Sequence, residues 1–118
     1  QGANLAHTTF DGSTFQIPTP ITELNTAAAQ GFPSISGDGL DLYFETLRGD
    51  GAFDDVWVAH RDTIGGTFAN AVRVDVSIAG ANDADPEIAR DGRTIVWASD
   101  RPGSLGVHDI YLATRSCL

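Results

Sequence analysis

The chain is short of several residue types, and each shortage removes a class of function. Among its 118 residues there is one cysteine, Cys117, beside the C-terminus. An internal disulfide is therefore impossible, and so is a zinc site built on a cysteine pair. A free thiol or an intermolecular disulfide remains for Cys117, so cysteine usage does not fix the redox compartment. Basic residues are few: 7 Lys and Arg stand against 16 Asp and Glu, for a net charge of -9. No basic face is available for nucleic acid, and anionic membranes are disfavoured for the same reason. No apolar run approaches the ~18 residues of a membrane span. There is no recognisable signal peptide or lipidation motif. Methionine is absent and the first residue is Gln1, so the expectation is a chain that has lost an initiator Met, been processed, or been cut from something larger. No stretch reads as a convincing helix; Thr26 to Gln30 is too short to stand alone.

What is present is apolar content and turns. Hydrophobic residues make up 42%, enough for a core, and thirteen Gly and five Pro are spread along the chain. The acidity itself reads first as a solvated surface.

The most informative feature is self-similarity. Pro33 falls on Pro86, Asp38 and Gly39 on Asp91 and Gly92, Phe44 on Trp97 and Arg48 on Arg101, all at a step of 53. Asp55 to Arg61 falls on Asp109 to Arg115 at a step of 54, and Phe15 falls on Phe68 at 53. A partial copy stands at the N-terminus, where Leu5, Ala6 and His7 align 53 residues before Val58, Ala59 and His60. The division expected is two repeats, about 15–67 and 68–118, preceded by a partial repeat 1–14.

Each repeat reads as strands. The Asp38–Gly39 and Asp91–Gly92 pairs are hairpin signals, because Asp-Gly tolerates the positive φ of tight turns. Leu40, Leu42 and Phe44 alternate onto one face. Ile95 to Ala98, Val56 to Ala59 and Ile110 to Ala113 are apolar on both faces, as in strands covered on both sides. A weaker fourth strand fits Pro20 to Leu24 and Ala71 to Asp75. Proline at 33 is expected to begin a strand. Four short strands every ~50 residues are the signature of a propeller blade. The expected fold is all-β: a β-propeller with about two four-stranded blades in this chain, the ring completed by oligomerisation or by further blades.

The repeats resemble the WD-type propeller repeats of TolB-like proteins. The resemblance rests on Pro-x-x-Ser/Ala-x-Asp-Gly at Pro33 to Gly39 and Pro86 to Gly92, then an apolar strand, then Arg48 or Arg101. Asp55-Val56-Trp57-Val58 or Asp109-Ile110-Tyr111-Leu112 closes each copy. The first copy departs at Phe32, where an acidic residue precedes proline in the pattern, and at Leu47, which stands where Asp100 does. The resemblance implies a periplasmic or secreted setting and a role in binding or scaffolding. It brings no catalytic motif, since propellers host many unrelated activities.

The residues with chemistry are polar and lie in loops. Asp38 and Asp91 are explained by turn formation. Arg48 and Arg101, with Asp55 and Asp109, are expected to pair within or between blades. Asn82, Asp83 and Asp85 form one oxygen-rich cluster and Asp50, Asp54 and Asp55 another. Calcium is the cofactor such oxygens would suit, but neither cluster follows a spaced calcium-loop pattern, so no metal and no cofactor is assigned. His108, in a glycine-rich loop, is the histidine best placed for a ligand. The loops expected at a channel mouth are Asn25 to Phe32, Leu47 to Asp54, Ser77 to Asp85 and Asp100 to His108. Arg48, Asp50, Asp54, Asn82, Asp83, Asp85, Arg101 and His108 are the ligand-binding candidates, with no catalytic residue assigned.

The function expected is a non-catalytic binding or scaffold module that takes a protein or glycan ligand, with partners that are further copies or further blades. The Pro20 to Leu24 strand is expected to complete the last sheet of a neighbouring chain, whose third strand lies near Ala113. The alternative is a fragment of a carbohydrate-active propeller enzyme, with carboxylates converging from several blades.

Overall fold

A computed structural model describes residues 2–116, so Cys117 and its expected chemistry lie outside the described residues. The described residues form nine antiparallel strands and no helix. β1 (Ala6–His7) and β2 (Thr19–Pro20) make a small hairpin. β3 (Gln30–Ile35), β4 (Asp41–Thr46), β5 (Asp55–His60) and β6 (Val72–Arg73) make a central sheet in that order. β7 (Asp83–Ile88), β8 (Thr94–Ser99) and β9 (Asp109–Thr114) make an outer sheet. The segments expected over Pro20 to Leu24 and Ala71 to Asp75 are strands for two residues only, starting one position away at Thr19 and Val72.

The hairpin turns form where Asp-Gly stands. Gly39 and Gly92 take φ of 75° and 67°, a region that only glycine enters without strain. The Asp38 and Asp91 carboxylates bind the amides of Leu40 and Arg93. Pro33 and Pro86 do not begin their strands. They lie inside β3 and β7, at irregularities between Gly31 and Ser34 and between Ala84 and Glu87. A bulge removes a residue from the ladder, so the missing proline N–H costs nothing there.

The central and outer sheets share one register. Gln30 pairs with Thr46 and Asp83 with Ser99; Ser34 pairs with Tyr43 and Glu87 with Val96. All four positions differ by 53. The hairpin corrects the expected alignment of His7 with His60. His7 pairs with Thr19, as Val58 pairs with Val72. Position 72 is 53 beyond 19, but 58 is only 51 beyond 7. The Ile21 amide bonds Leu5, as the Val74 amide bonds Val56. Thus Leu5 and His7 stand where Val56 and Val58 stand, and the two-residue difference is absorbed in the loop after them.

The three layers stack face to face. Leu5, Ile21 and Leu24 of the hairpin segment bury against Leu42, Phe44, Ala59 and Phe68 on one side of the central sheet. Tyr43 and Val56, on its other side, bury against Ile88, Ile95 and Trp97. Alternation along β4 sends Leu42 and Phe44 one way and Tyr43 the other, which is why this strand is apolar on both faces. Each fully buried side chain of this size contributes about 1.5–3 kcal/mol. The first strands of the two large sheets lie side by side. Ser34 Oγ donates to Glu87 Oε2 at 3.1 Å and accepts the Ile88 amide at 3.0 Å. At the adjoining turns, a Cβ on Gly37 would stand 2.2 Å from the Arg90 carbonyl oxygen, so the backbones meet there only because residue 37 is glycine. The far face of the outer sheet is bare: Ile110 and Leu112 are 73% and 66% exposed.

Candidate functional site

The loops expected at one end of the molecule do share an end. The strand ends at Gln30, Thr46, Asp55, Asp83, Ser99 and Asp109 are paired neighbours, so loops 47–54 and 100–108 and the linkers leading into β3 and β7 open on the same side. Gln30 to Phe32 and Asp83 to Asp85 belong to strands rather than to those loops. The Asp38–Gly39 and Asp91–Gly92 turns lie at the opposite end.

Arg48 and Arg101 are built into the sheets. The Arg48 guanidinium lies 5.2 Å from the ring centroids of both Phe44 and Trp57 and donates to the Leu24 carbonyl. Arg101 lies 5.1 Å from Trp97 and 4.7 Å from Tyr111, and donates to the Val76 carbonyl at 2.7 Å. Each arginine clips an incoming linker to its sheet while stacking on two aromatic faces. Their partners differ from those expected. Arg101 pairs with Asp83 at 2.7 Å, not with Asp109. Asp109 caps its own loop through the Leu105 and Gly106 amides. Arg48 has no carboxylate partner among the described residues, and Asp55 pairs instead with Arg73 at 2.8 Å.

The two oxygen-rich clusters are dispersed. Asp83 is fully buried and accepts from Trp97 Nε1, Arg101 and the Ile78 amide. Asn82 donates its amide and its Nδ2 to the two Asp100 oxygens, each at 2.8 Å. Asp50 turns back on the Ala52 and Phe53 amides, whose hydrogen bonds hold its carboxyl below the usual range. Among the described residues, no three His, Cys, Asp or Glu side chains converge to hold a metal ion. His108 is exposed in its loop, where its charge helps Asn82 lower the Asp100 carboxyl.

What the structure does bring together is Glu45, Asp54 and Asp85. The Asp85 amide, freed from the ladder by the bulge, donates to Glu45 Oε2 at 2.8 Å. Burial raises the Glu45 carboxyl, against the lowering effect of that amide, and the charges of Asp54 and Asp85 raise it further. Asp54 is raised by burial and by the neighbouring Asp55 and Asp85 charges. Asp85 has φ of 51° and Phe32, 53 residues earlier on β3, has φ of 49°. Left-handed geometry in residues other than glycine is uncommon and strained. It turns Phe32 and Asp85 out of β3 and β7 at matching places, and both are exposed. Glu45 and Phe32 were not among the sequence candidates. Pro33, read as the start of a strand, was the signal available for Phe32; nothing in the spacing marked Glu45.

No family model matches the chain, and no curated protein matches it. No helix among the described residues is long and apolar enough to cross a membrane.

Proposed function

We propose that the chain is a non-catalytic binding or scaffold module of the β-propeller kind, joined by further copies or further blades into a closed ring that takes a protein or glycan ligand. The observation that supports this is the stacking. Two sheets of equal register lie face to face with their first strands adjacent, and a hairpin covers the central sheet from the other side. In a propeller, such a stack leaves a bare sheet face until the ring closes. The ligand would meet the end that carries Asp54, Asp85, Phe32 and His108, in a periplasmic or secreted setting. The measurement is mass in solution. A ring of copies gives an integer multiple of 12.5 kDa, three copies for six sheets. A folded, single-copy particle at every concentration overturns closure by copies. For the ligand, a glycan and protein-array screen with the ring, repeated with Asp85→Asn, is expected to give a signal that the variant weakens.

One observation favours the enzyme alternative: Glu45, held protonated to higher pH beside the Asp54 and Asp85 charges, has the environment of a general acid. Polysaccharide turnover abolished by Glu45→Gln would establish it; no turnover on any polysaccharide removes it.

A further inference from the structure

Two cavities flank the central sheet at the turn end, and their walls match. The first, between hairpin and central sheet, is lined by Ile21, Ile35, Leu42 and Arg61 together with Phe68. Phe68 is buried beside Leu42 and Ala59, with the Arg61 guanidinium 4.8 Å from its ring centroid. The second, about 380 Å³ between the central and outer sheets, is lined by Val74, Ile88, Ile95, Ala113 and Arg115. Val74, Ile88 and Ile95 lie 53 residues beyond Ile21, Ile35 and Leu42. Ala113 and Arg115 lie 54 beyond Ala59 and Arg61. The second cavity thus repeats the seat of Phe68, but no phenylalanine is among its lining residues.

The chain carries a second phenylalanine in the same setting. Phe15 ends Gly12-Ser13-Thr14-Phe15 as Phe68 ends Gly65-Gly66-Thr67-Phe68, and it is 74% exposed. The backbone after it is bonded alike: the Gln16 amide meets the Thr9 carbonyl as the Ala69 amide meets the His60 carbonyl. Phe15 lies on the hairpin, and the hairpin and the second cavity are on opposite faces of the central sheet. It cannot reach that cavity in its own chain. Beside the cavity, β9 pairs only with β8 among the described residues, so its outer edge is open for an added strand.

We propose that the cavity at Arg115 is the docking site for a second copy of this chain. Its Phe15 fills the seat beneath the Arg115 guanidinium, and its Thr19–Pro20 segment adds antiparallel to β9 as β6 adds to β5. In the second copy, Leu5 and His7 give way to Ile110 and Leu112 of the first, which hold the same places at a step of 54 from Val56 and Val58. The bare apolar face is then covered by Leu42 and Phe44 of the second copy. The inference rests on the ring reading above and names the contact that closes it.

The test is sedimentation of the whole chain over a wide concentration range, with Phe15→Ala and Ala113→Trp. Phe15 is exposed, so Phe15→Ala keeps the fold, checked by circular dichroism. Loss of a phenyl ring from an apolar seat is expected to weaken association by roughly 10- to 150-fold. Ala113→Trp, which fills the cavity from within, is expected to give single copies. Association unchanged by Phe15→Ala overturns this contact and leaves the ring reading standing. Single copies of the unaltered chain at all concentrations overturn this contact and closure by copies together.

Discussion

The central and outer sheets solve the same problem with different residues. Each must hold an arginine over two rings while it reaches a linker carbonyl. In the outer sheet, Asp83 meets the Arg101 charge, Ser99 Oγ accepts from Arg101 Nε, and Trp97 Nε1 also finds Asp83. In the central sheet the place of Asp83 is taken by Gln30, which spends itself on Thr26 and Ala28. Arg48 Nε and Trp57 Nε1 are left buried without a partner among the described residues, and burial pulls the Arg48 guanidinium below its usual value. Both arginines stack on two rings, but the outer sheet adds a charge partner and the central one, among the described residues, has only the Leu24 carbonyl. An uncharged partner suffices where the sheet is covered on both sides; the outer sheet, bare on one face, holds its linker with an ion pair.

The largest effect that would break this comparison is expected at the two partner positions. Asp83→Ala strands a largely buried guanidinium and is expected to cost about 3–5 kcal/mol. Gln30→Ala removes only neutral hydrogen bonds and is expected to cost about 1–3 kcal/mol. Urea denaturation measures both, and equal losses would remove the distinction. Next comes the close approach of the two turns. Gly37→Ala drives a methyl into the Arg90 carbonyl and is expected to cost about 1–3 kcal/mol. Arg90→Ala, at the matching place in the outer sheet, is expected to stay within about 0.5 kcal/mol; thermal melts separate the pair. Thr46→Val deletes the 2.7 Å bond to the Ala29 carbonyl, for about 1 kcal/mol, with the outer sheet undisturbed.

The smallest effect is in pH. Glu45 is raised in the folded chain, so folding favours its protonated form, and its contribution falls as pH rises above the ordinary glutamate range. Asp100 is lowered by Asn82, so its contribution is present above the ordinary aspartate range and is lost as pH falls. Melting temperatures across the acid range are expected to show Glu45→Gln flattening the first slope and Asp100→Asn the second. The same slope in both variants would contradict these assignments.

Repetition in the sequence marks equivalent positions but not what each position touches. The Asp-Gly turns and the two-faced strands were legible because local backbone preference and alternation decide them. The step of 53 likewise paired Arg48 with Arg101. It could not tell that Asp83, in a polar run, turns inward to Arg101, since that choice depends on the linker crossing overhead. Nor could it show that the connection between β1 and β2, from paired residue to paired residue, is two residues shorter than its counterpart between β5 and β6, which moves His7 from the place of His60 to that of Val58. Phe32 was visible as a departure before a proline, and Asp85 as the acidic residue of the pattern; their left-handed backbones follow from the bulge, which is a property of the paired strand and not of the residue.

Gly37 has one more consequence. Its counterpart on the outer sheet is Arg90, which carries a side chain where Gly37 carries none. A sheet laid on the outer face therefore meets a bulky group at the point where the outer sheet itself meets bare backbone. The spacing inside one chain cannot be repeated between chains. A ring built from copies would alternate narrow and wide seams, with half the rotational symmetry that its sheet count suggests.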